Sequence, residues 1–325
     1  MFECCRNIPF RGSLVQKKEC MKIDQSDLLI PADVPLHAQN DFRDNYQLIV
    51  KTTGIPFLFA AHDALLQQCT DAHKLIANPE ILFQIADGGF VGALEISPSL
   101  IARYGTQYEK LTFIARLTLT TSPSNSQAIF HAVDSVDAPL MTIEQLILFK
   151  EESKLLIAGI SVGIHFGTQC TPETISYICQ TIYQAHQYGL PVFLSMYVLH
   201  TSYEHTAIDP FNYLLGIALN VGADFINITW YGPDNNVTTA RQKIITRTHD
   251  GIKYISSGGP LCDPKTLFEE IRLQLDSKRS AGFAIGRNIF LRPLTQAIAV
   301  TKAIRALIDQ EISPDEALEL FNKTS

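Results

Sequence analysis

Two short segments that contain glycine have the residue types that most clearly suggest chemistry. They are Ser256-Ser257-Gly258-Gly259 and Gly286-Arg287-Asn288, each at the end of a short apolar run, with a helix-length segment between them. Glycine at a strand end lets backbone N–H groups approach an anion, and arginine supplies a charged fork that fits phosphate. The residues predicted to bind phosphate are therefore Ser257, Gly258, Gly259, Gly286 and Arg287. The alternative is that these glycines only allow tight strand-to-helix turns.

Other polar side chains stand at the carboxyl ends of further predicted strands. In a parallel barrel these ends meet at one face, where ligands bind. Adjacent residues of a strand point to opposite sides, so at most one of His62 and Asp63 points inward. Each position has a structural alternative as a helix cap, a solvated loop residue or a core residue. The candidates are His62, Asp63, Glu95, Ser97, Arg116, Thr118, His165, Tyr197, Asn227 and Thr229.

The elements that must position these side chains alternate between strand-length apolar runs and helix-length segments. The eight predicted strands are apolar throughout, which indicates burial on both faces. The predicted fold class is therefore α/β, a (β/α)8 TIM barrel. A doubly wound sheet is the rival, but no G-x-G-x-x-G follows the first strand. The predicted strands are residues 56–61, 92–96, 112–118, 160–166, 191–198, 224–229, 253–257 and 283–286.

Helices are predicted between the strands, and several begin with a cap residue followed by proline, as in Thr171-Pro172 and Ser313-Pro314. Residues 1–50 are predicted to form an irregular N-terminal arm with one short helix, and residues 51–325 a single barrel domain. The polar segment 122–141 is either a lid or an oligomer contact. The predicted helices are residues 80–86, 142–156, 172–187, 209–221, 238–248, 263–278, 294–309 and 314–322.

Composition narrows the function classes. The 325 residues are 46% apolar and 18% charged, which suits a large core, and the net charge of -7 without a basic run argues against nucleic acid. No apolar run reaches the ~18 residues of a membrane span, and no signal-like segment opens the chain, so we expect a cytoplasmic protein without a membrane partner. Seven cysteines without a C-x-x-C pair and nine scattered histidines predict neither a metal nor another cofactor.

Several runs resemble those of the archaeal-type class I fructose-bisphosphate aldolases and their relatives, including a thiolase-like branch that acts on a phosphorylated quorum-sensing signal. The resemblance spans roughly residues 50–310, and its glycine-arginine-asparagine motif is the most specific part. It implies a (β/α)8 barrel that holds a sugar phosphate at the last two strand ends, and a homo-oligomer. The similar runs are residues 162–168, 194–197, 222–227, 256–259 and 286–290.

One departure from these aldolases concerns the nucleophile. Their sixth strand ends with a lysine that forms a Schiff base with the substrate carbonyl, whereas Asn227 stands here. An amide nitrogen cannot form an iminium ion, because its lone pair is delocalised into the carbonyl. No other lysine stands at a predicted strand end. Lys253 begins the seventh strand, near the opposite mouth, and helix-like segments contain Lys150, Lys154, Lys243 and Lys265.

Two further departures concern proton transfer. The family places an aspartate before a His-Gly pair at the end of the first strand, and Ala61 occupies that register before His62 unless Asp63 substitutes. A third-strand lysine of the family corresponds to Arg116, which keeps the charge but does not release its proton. The tyrosine associated with proton donation is retained as Tyr197.

Two classes of function follow from the sequence. The first is a lyase-type or related carbon–carbon bond enzyme acting on a phosphorylated sugar or carbonyl compound, with His62, Arg116 and Tyr197 as catalytic candidates around Asn227. The second is a sugar-phosphate-binding or scaffold protein of the same fold that has lost catalysis. Both expect a phosphorylated small molecule as the ligand.

Overall fold

The structure is a computed structural model that describes most of the chain. The predicted helix at 238–248, Asp63, and residues 121–136 of the polar segment lie outside the described part. Among the described residues, no helix combines the length and apolar character that a membrane crossing requires. The described ranges are 28–62, 64–65, 78–120, 137–166, 170–199, 210–231, 252–276, 280–310 and 312–325.

Eight parallel strands close into a barrel, which confirms the predicted fold class. Around the barrel the order is β1-β10-β9-β8-β7-β6-β3-β2, so each strand pairs with the neighbour expected of a (β/α)8 fold. The strands are β1 Phe57–Ala60, β2 Ala93–Ile96, β3 Thr112–Arg116, β6 Leu156–Phe166, β7 Val192–Leu199, β8 Phe225–Tyr231, β9 Lys253–Ser257 and β10 Gly282–Ile285.

The predicted third strand, 112–118, is divided in the structure. Its barrel part ends at Arg116, and β4 (Thr118–Thr120) pairs antiparallel with β5 (Asp137–Pro139) to form a two-stranded sheet outside the barrel. The chain therefore leaves the barrel one residue after Arg116.

Helices follow the barrel strands and cover their outer faces. The predicted helix 142–156 is too long: it ends at Ser153, because Lys154 takes a left-handed conformation with φ 59°, and Leu156 already begins a strand. A short helix at Pro98–Tyr104 was not predicted from the sequence. The described helices are α1 Gln39–Val50, α2 Glu80–Gly89, α3 Pro98–Tyr104, α4 Ile143–Ser153, α5 Pro172–Gln187, α6 Pro210–Val221, α7 Pro264–Asp276, α8 Arg287–Phe290, α9 Leu294–Gln310 and α10 Pro314–Thr324.

Helix α1 closes the amino end of the barrel. Its residues Tyr46, Ile49 and Val50 pack with the first residues of the strands, and the Tyr46 ring stacks on Phe225 at a centroid distance of 5.6 Å. Lys253 lies at this same end, where its ammonium contacts the Tyr46 hydroxyl and lies 4.4 Å from the ring centroid. The prediction that Lys253 is remote from the carboxyl ends of the strands is therefore confirmed.

A buried histidine ties the chain before α1 to the barrel. His186 of α5 is 1% exposed, with Nδ1 2.8 Å from an Asp33 carboxylate oxygen and Nε2 3.1 Å from Asp224. Burial disfavours its charged form, but the hydrogen bonds and charges of Asp224 and Asp33 outweigh burial and raise the pKa of His186 above 6.5. An imidazolium donates from both nitrogens, so it satisfies both carboxylates.

This arrangement predicts a pH-dependent stability. Because the folded-state pKa of His186 is raised, its contribution is complete below about 6.5 and is lost as the pH rises through the higher folded value. His186→Gln should lower the free energy of unfolding by about 1–3 kcal/mol at pH 6 and by less at pH 9. Urea unfolding at both pH values measures this, and an equal loss at the two would contradict a charged His186.

Candidate active site

A pocket opens at the carboxyl ends of the barrel strands. Of the four residues placed around the reaction in the sequence analysis (His62, Arg116, Tyr197 and Asn227) and the five predicted to bind phosphate, eight line it, and Arg116 does not. Glu95, Ser195 and Thr229 complete much of the polar wall, and Ala60, Ala284 and Phe290 contribute apolar surface. The predicted residues that it brings together are His62, Tyr197, Asn227, Ser257, Gly258, Gly259, Gly286 and Arg287.

The glycines on one side of the pocket are required by close approach and by backbone conformation. A Cβ on Gly286 would lie 2.5 Å from the Ala60 carbonyl oxygen, and one on Gly258 would lie 2.8 Å from the Ile285 side chain. Gly259 has φ +69°, which favours glycine. A side chain at Gly286 would meet backbone, one at Gly258 would meet the Ile285 side chain, and one at Gly259 would strain the backbone. The pocket therefore keeps its main-chain wall only with glycine at these positions.

The loops that follow β9 and β10 are joined by the fully buried Asn288. Its Nδ2 donates to the carbonyls of Gly258 (2.8 Å) and Pro260 (2.7 Å), and its Oδ1 accepts from the Cys262 backbone N–H (3.0 Å). Asn288 belongs to the glycine-arginine-asparagine motif, but the sequence alone predicts no role for it. Its capacity to bond two carbonyls and an amide at once holds the two loops together.

His62 and Tyr197 form a hydrogen-bonded pair on the pocket wall. Nε2 of His62 lies 3.0 Å from the Tyr197 hydroxyl. The Tyr197 ring stacks on His165 at a centroid distance of 4.5 Å, which keeps the phenol at the end of β7. His165, a candidate in the sequence, thus supports Tyr197 and does not line the pocket. Two titratable groups in contact on a pocket wall can transfer a proton.

Glu95 and Arg116 form a buried charge pair behind His62. Glu95 is 3% and Arg116 2% exposed, and a Glu95 carboxylate oxygen lies 3.2 Å from His62 Nδ1 and 3.5 Å from Arg116 Nη1. Burial alone would raise the carboxyl pKa, but the charges of His62 and Arg116, with a contribution from Ser161, hold the pKa of Glu95 at about 2. Glu95 was a strand-end candidate without a role, since its partners come from other strands.

Arg116 fits in the barrel because of the glycine opposite it. A Cβ on Gly163 of β6 would lie 1.9 Å from Nη2 of Arg116. The guanidinium Nε donates to the Thr118 carbonyl (3.2 Å), and the Thr118 hydroxyl accepts from the Gly163 N–H (2.8 Å). The guanidinium therefore contacts Glu95 and the start of β4, and it is held away from the pocket wall.

Asn227 lies on the pocket wall with its amide orientation fixed. Nδ2 donates to the Ile255 carbonyl at 2.9 Å, and Oδ1 accepts from the Thr229 hydroxyl at 3.3 Å. A backbone carbonyl only accepts, so the nitrogen must face Ile255. Among the described residues, no lysine lines this pocket. Lys17, Lys18, Lys22, Lys74, Lys243 and Lys278 lie outside the described part of the chain.

The fold and the pocket define a class: a (β/α)8 barrel that presents a hydrogen-bonded histidine–tyrosine pair and a glycine-walled recess at the carboxyl ends of its strands. Within this class, residues 57–292 match the model of the DeoC/LacD family aldolases, and the chain belongs to that family. The resemblance to class I aldolases noted from the sequence is thereby confirmed.

Individual relatives agree with this assignment. The chain is 27% identical over 310 residues to a fructose-bisphosphate aldolase/6-deoxy-5-ketofructose 1-phosphate synthase of Methanocaldococcus jannaschii, covering 92% of this chain and 96% of that protein. It is 26% identical over 160 residues to a 2-amino-3,7-dideoxy-D-threo-hept-6-ulosonate synthase of Halobacterium salinarum, covering 49% and 57%. A fructose-bisphosphate aldolase structure from Slackia heliotrinireducens superposes with TM-score 0.75 at 24% identity, covering 94% and 96%.

The close contact between Gly163 and Arg116 predicts that adding one methyl group at position 163 strongly lowers the free energy of unfolding. Gly163→Ala should displace the guanidinium from Glu95 and lower the free energy of unfolding by about 1–3 kcal/mol. The matched control is Gly216→Ala in α6, where no atom lies within 4 Å of the added Cβ, and which should be neutral or stabilising by up to about 1 kcal/mol. Chemical unfolding compares the two, and equal effects would refute the close fit around Arg116.

Proposed function

We propose that this protein binds a phosphorylated sugar or carbonyl compound and catalyses lyase-type chemistry at the carbon next to the carbonyl, without a Schiff base. The observation that carries the proposal is the 3.0 Å contact between His62 Nε2 and the Tyr197 hydroxyl, in the same pocket as the glycine loops and Arg287. An acid–base pair and an anion recess in one pocket suit a substrate that has a phosphate at one end and an acidic carbon at the other.

The phosphate is assigned to the recess formed by the ends of β9 and β10. Gly258, Gly259 and Gly286 leave backbone exposed there, and Arg287 supplies a positive charge on the same wall. Ser257 adds a hydroxyl at the end of β9. Asn288 keeps the two loops in register, so the donors are held in place before the anion arrives.

Tyr197 and His62 are assigned the proton transfer. The phenol oxygen takes a proton from the substrate carbon while its own proton passes to Nε2 of His62. The C–H electrons then remain on the substrate as an enolate, and the proton is held on the imidazolium. The reverse transfer returns a proton to carbon, so the pair serves both directions of a carbon–carbon bond reaction. Both side chains line the pocket.

Asn227 is assigned the carbonyl oxygen of the substrate. One N–H of its amide is used by the Ile255 carbonyl, and among the described residues no acceptor takes the other. A donor aimed at a developing oxyanion lowers the barrier to enolate formation. One fold neighbour, at TM-score 0.60 and 17% identity, is a Schiff base forming fructose-1,6-bisphosphate aldolase. We assign this chain the same carbonyl position with hydrogen bonding in place of covalent attachment.

Binding without catalysis is the second candidate. It is favoured by Asn227 itself, since an amide fixed to Ile255 supplies no nucleophile. Both candidates include the cytoplasmic location expected from the sequence pattern and self-assembly through the outer helices, as the aldolase resemblance implies. They share the phosphate recess and differ only in whether the proton moves.

The phosphate recess predicts a specific loss of binding. A sugar phosphate at a hundredfold excess over its Kd should stabilise the native protein by about 2.7 kcal/mol, seen as a rise in Tm. Arg287→Ala should abolish the rise. Arg272→Ala should retain it, because Arg272 lies on α7 and pairs with Asp276. Dihydroxyacetone phosphate and fructose 1,6-bisphosphate are the probes, and a full shift in Arg287→Ala would exclude the assigned recess.

The proton-transfer pair predicts exchange with solvent. In D2O the native protein should exchange a C–H proton of dihydroxyacetone phosphate for deuterium, as followed by NMR, and Tyr197→Phe should slow this about 10²- to 10⁴-fold. Tyr183→Phe, at an exposed position on α5, is the matched control and should exchange at the native rate. Phosphate-dependent stabilisation without any exchange would instead support the binding candidate.

Borohydride reduction in the same mixture distinguishes the chemistry. The native protein should gain no covalent mass, whereas Asn227→Lys places an amine on β8 at the pocket wall and serves as the positive control for trapping. Label on a lysine of the native chain would replace the proposed route with a Schiff base.

A further inference from the structure

Glu95 is a buried carboxylate to which neither its strand-end position in the sequence nor the proposed function assigns a role. It stands on β2, 3% exposed, and one of its oxygens contacts both His62 of the first strand's end and Arg116 of β3. The Nδ1–oxygen distance of 3.2 Å is a close contact rather than an aligned hydrogen bond. On the far side of the imidazole, Nε2 faces Tyr197 at 3.0 Å. The three side chains thus form a row from the buried interior to the pocket.

We propose that Glu95 is a positioning residue that sets the tautomer of His62 and makes the His62–Tyr197 pair a directional proton relay. This inference rests on the proposed function and adds the residue that controls it. The carboxylate selects the imidazole with hydrogen on Nδ1, so that Nε2 presents its lone pair to the Tyr197 hydroxyl.

The selection follows from elementary electrostatics. Neutral imidazole has one N–H and one bare nitrogen. An ionised carboxylate only accepts, so a bare Nδ1 would place two electron pairs against each other across 3.2 Å. The hydrogen is therefore placed on Nδ1. With Nε2 bare, the only way to satisfy the 3.0 Å contact is for the Tyr197 O–H to donate. The phenol oxygen is then the atom of the pair that accepts a substrate proton.

Arg116 keeps Glu95 in the state that this requires. At 2% exposure its guanidinium compensates the carboxylate, and without it a buried carboxylate would take up a proton and become a donor. The same positive charge also opposes permanent protonation of His62. When the relay operates, the proton reaches Nε2 and the resulting imidazolium lies against Glu95, which stabilises it. The charged and titratable groups around His62 on the described elements are Glu95, Arg116, Tyr197, His165 and Arg287.

The first test observes the tautomer without any substrate. Long-range ¹H–¹⁵N correlation of histidine-labelled protein, with His62 assigned from the signal missing in His62→Gln, should show neutral His62 protonated on Nδ1. In the double variant Glu95→Gln/Arg116→Met, which leaves no unpaired buried charge, the ordinary Nε2–H form should appear. A native His62 with hydrogen on Nε2, or doubly protonated at pH 8, would overturn the proposal.

The second test separates positioning from general stability. Glu95→Gln should lower the exchange rate about 10²-fold and move the acidic limb of its pH profile to lower pH, because a neutral amide no longer favours the imidazolium. Asp224→Asn makes the matching change against His186 at the other end of the barrel. It should lower Tm but leave both the pH limb and the His62 signals unchanged. Parallel losses in the two variants, with an unmoved limb, would reduce Glu95 to a structural role. If no substrate exchanges at all, the proposed function fails, while the tautomer measurement still decides the part assigned to Glu95.

Discussion

The negative charge of Glu95, removed from water at the mouth of the barrel, is the constraint on which the site depends. Removing a carboxylate from water is unfavourable in free energy unless positive charges and hydrogen-bond donors compensate it. If one of these partners is removed, the unfavourable desolvation energy remains. Arg116 and His62 provide that compensation, and Arg116 in turn needs the space that Gly163 leaves on β6. The charge of Glu95 thus fixes residues on several strands. The positions of the side chains that reach the pocket depend on these contacts.

The two ends of the barrel use the same physical device for different purposes. At the amino end, His186 lies between Asp33 and Asp224 and joins the chain before α1 to the barrel. Both of its nitrogens face carboxylates, so the group is saturated and structural. At the carboxyl end, His62 faces a carboxylate with only one nitrogen, and the other faces Tyr197 beside the pocket. A histidine that has a carboxylate at only one ring nitrogen can transfer a proton at the other nitrogen. A histidine whose two ring nitrogens both contact carboxylates cannot.

Much of the fold could be predicted from the sequence because its determinants are local. Each buried parallel strand is a short apolar run, and all eight predicted strands correspond to barrel strands. Boundaries were less accurate where backbone conformation decides them, as at Lys154, whose left-handed conformation ends α4. Helix α1 was predicted only as one short helix. Its apolar face can be interpreted only when the barrel end that it covers is known.

The site was predictable only in part, for a related reason. Strand-end position identified His62, Tyr197, Asn227 and the glycines, because the fold brings such ends to one mouth. Whether a side chain faces the pocket or lies behind another depends on packing between strands. Arg116 was expected at the mouth and lies behind Glu95, and Asn288 stood in a motif without revealing that it bonds two loops.

Asn288 has a consequence for the thermodynamics of recognition. Because its side chain fixes the loops after β9 and β10 to each other in the absence of any ligand, the recess on that wall is preorganised. An anion that enters it does not have to order two glycine-rich segments, whose freedom would otherwise be expensive to remove. The conformational entropy of these glycines is therefore lost during folding. Binding of a small dianion then removes little further conformational entropy from the chain.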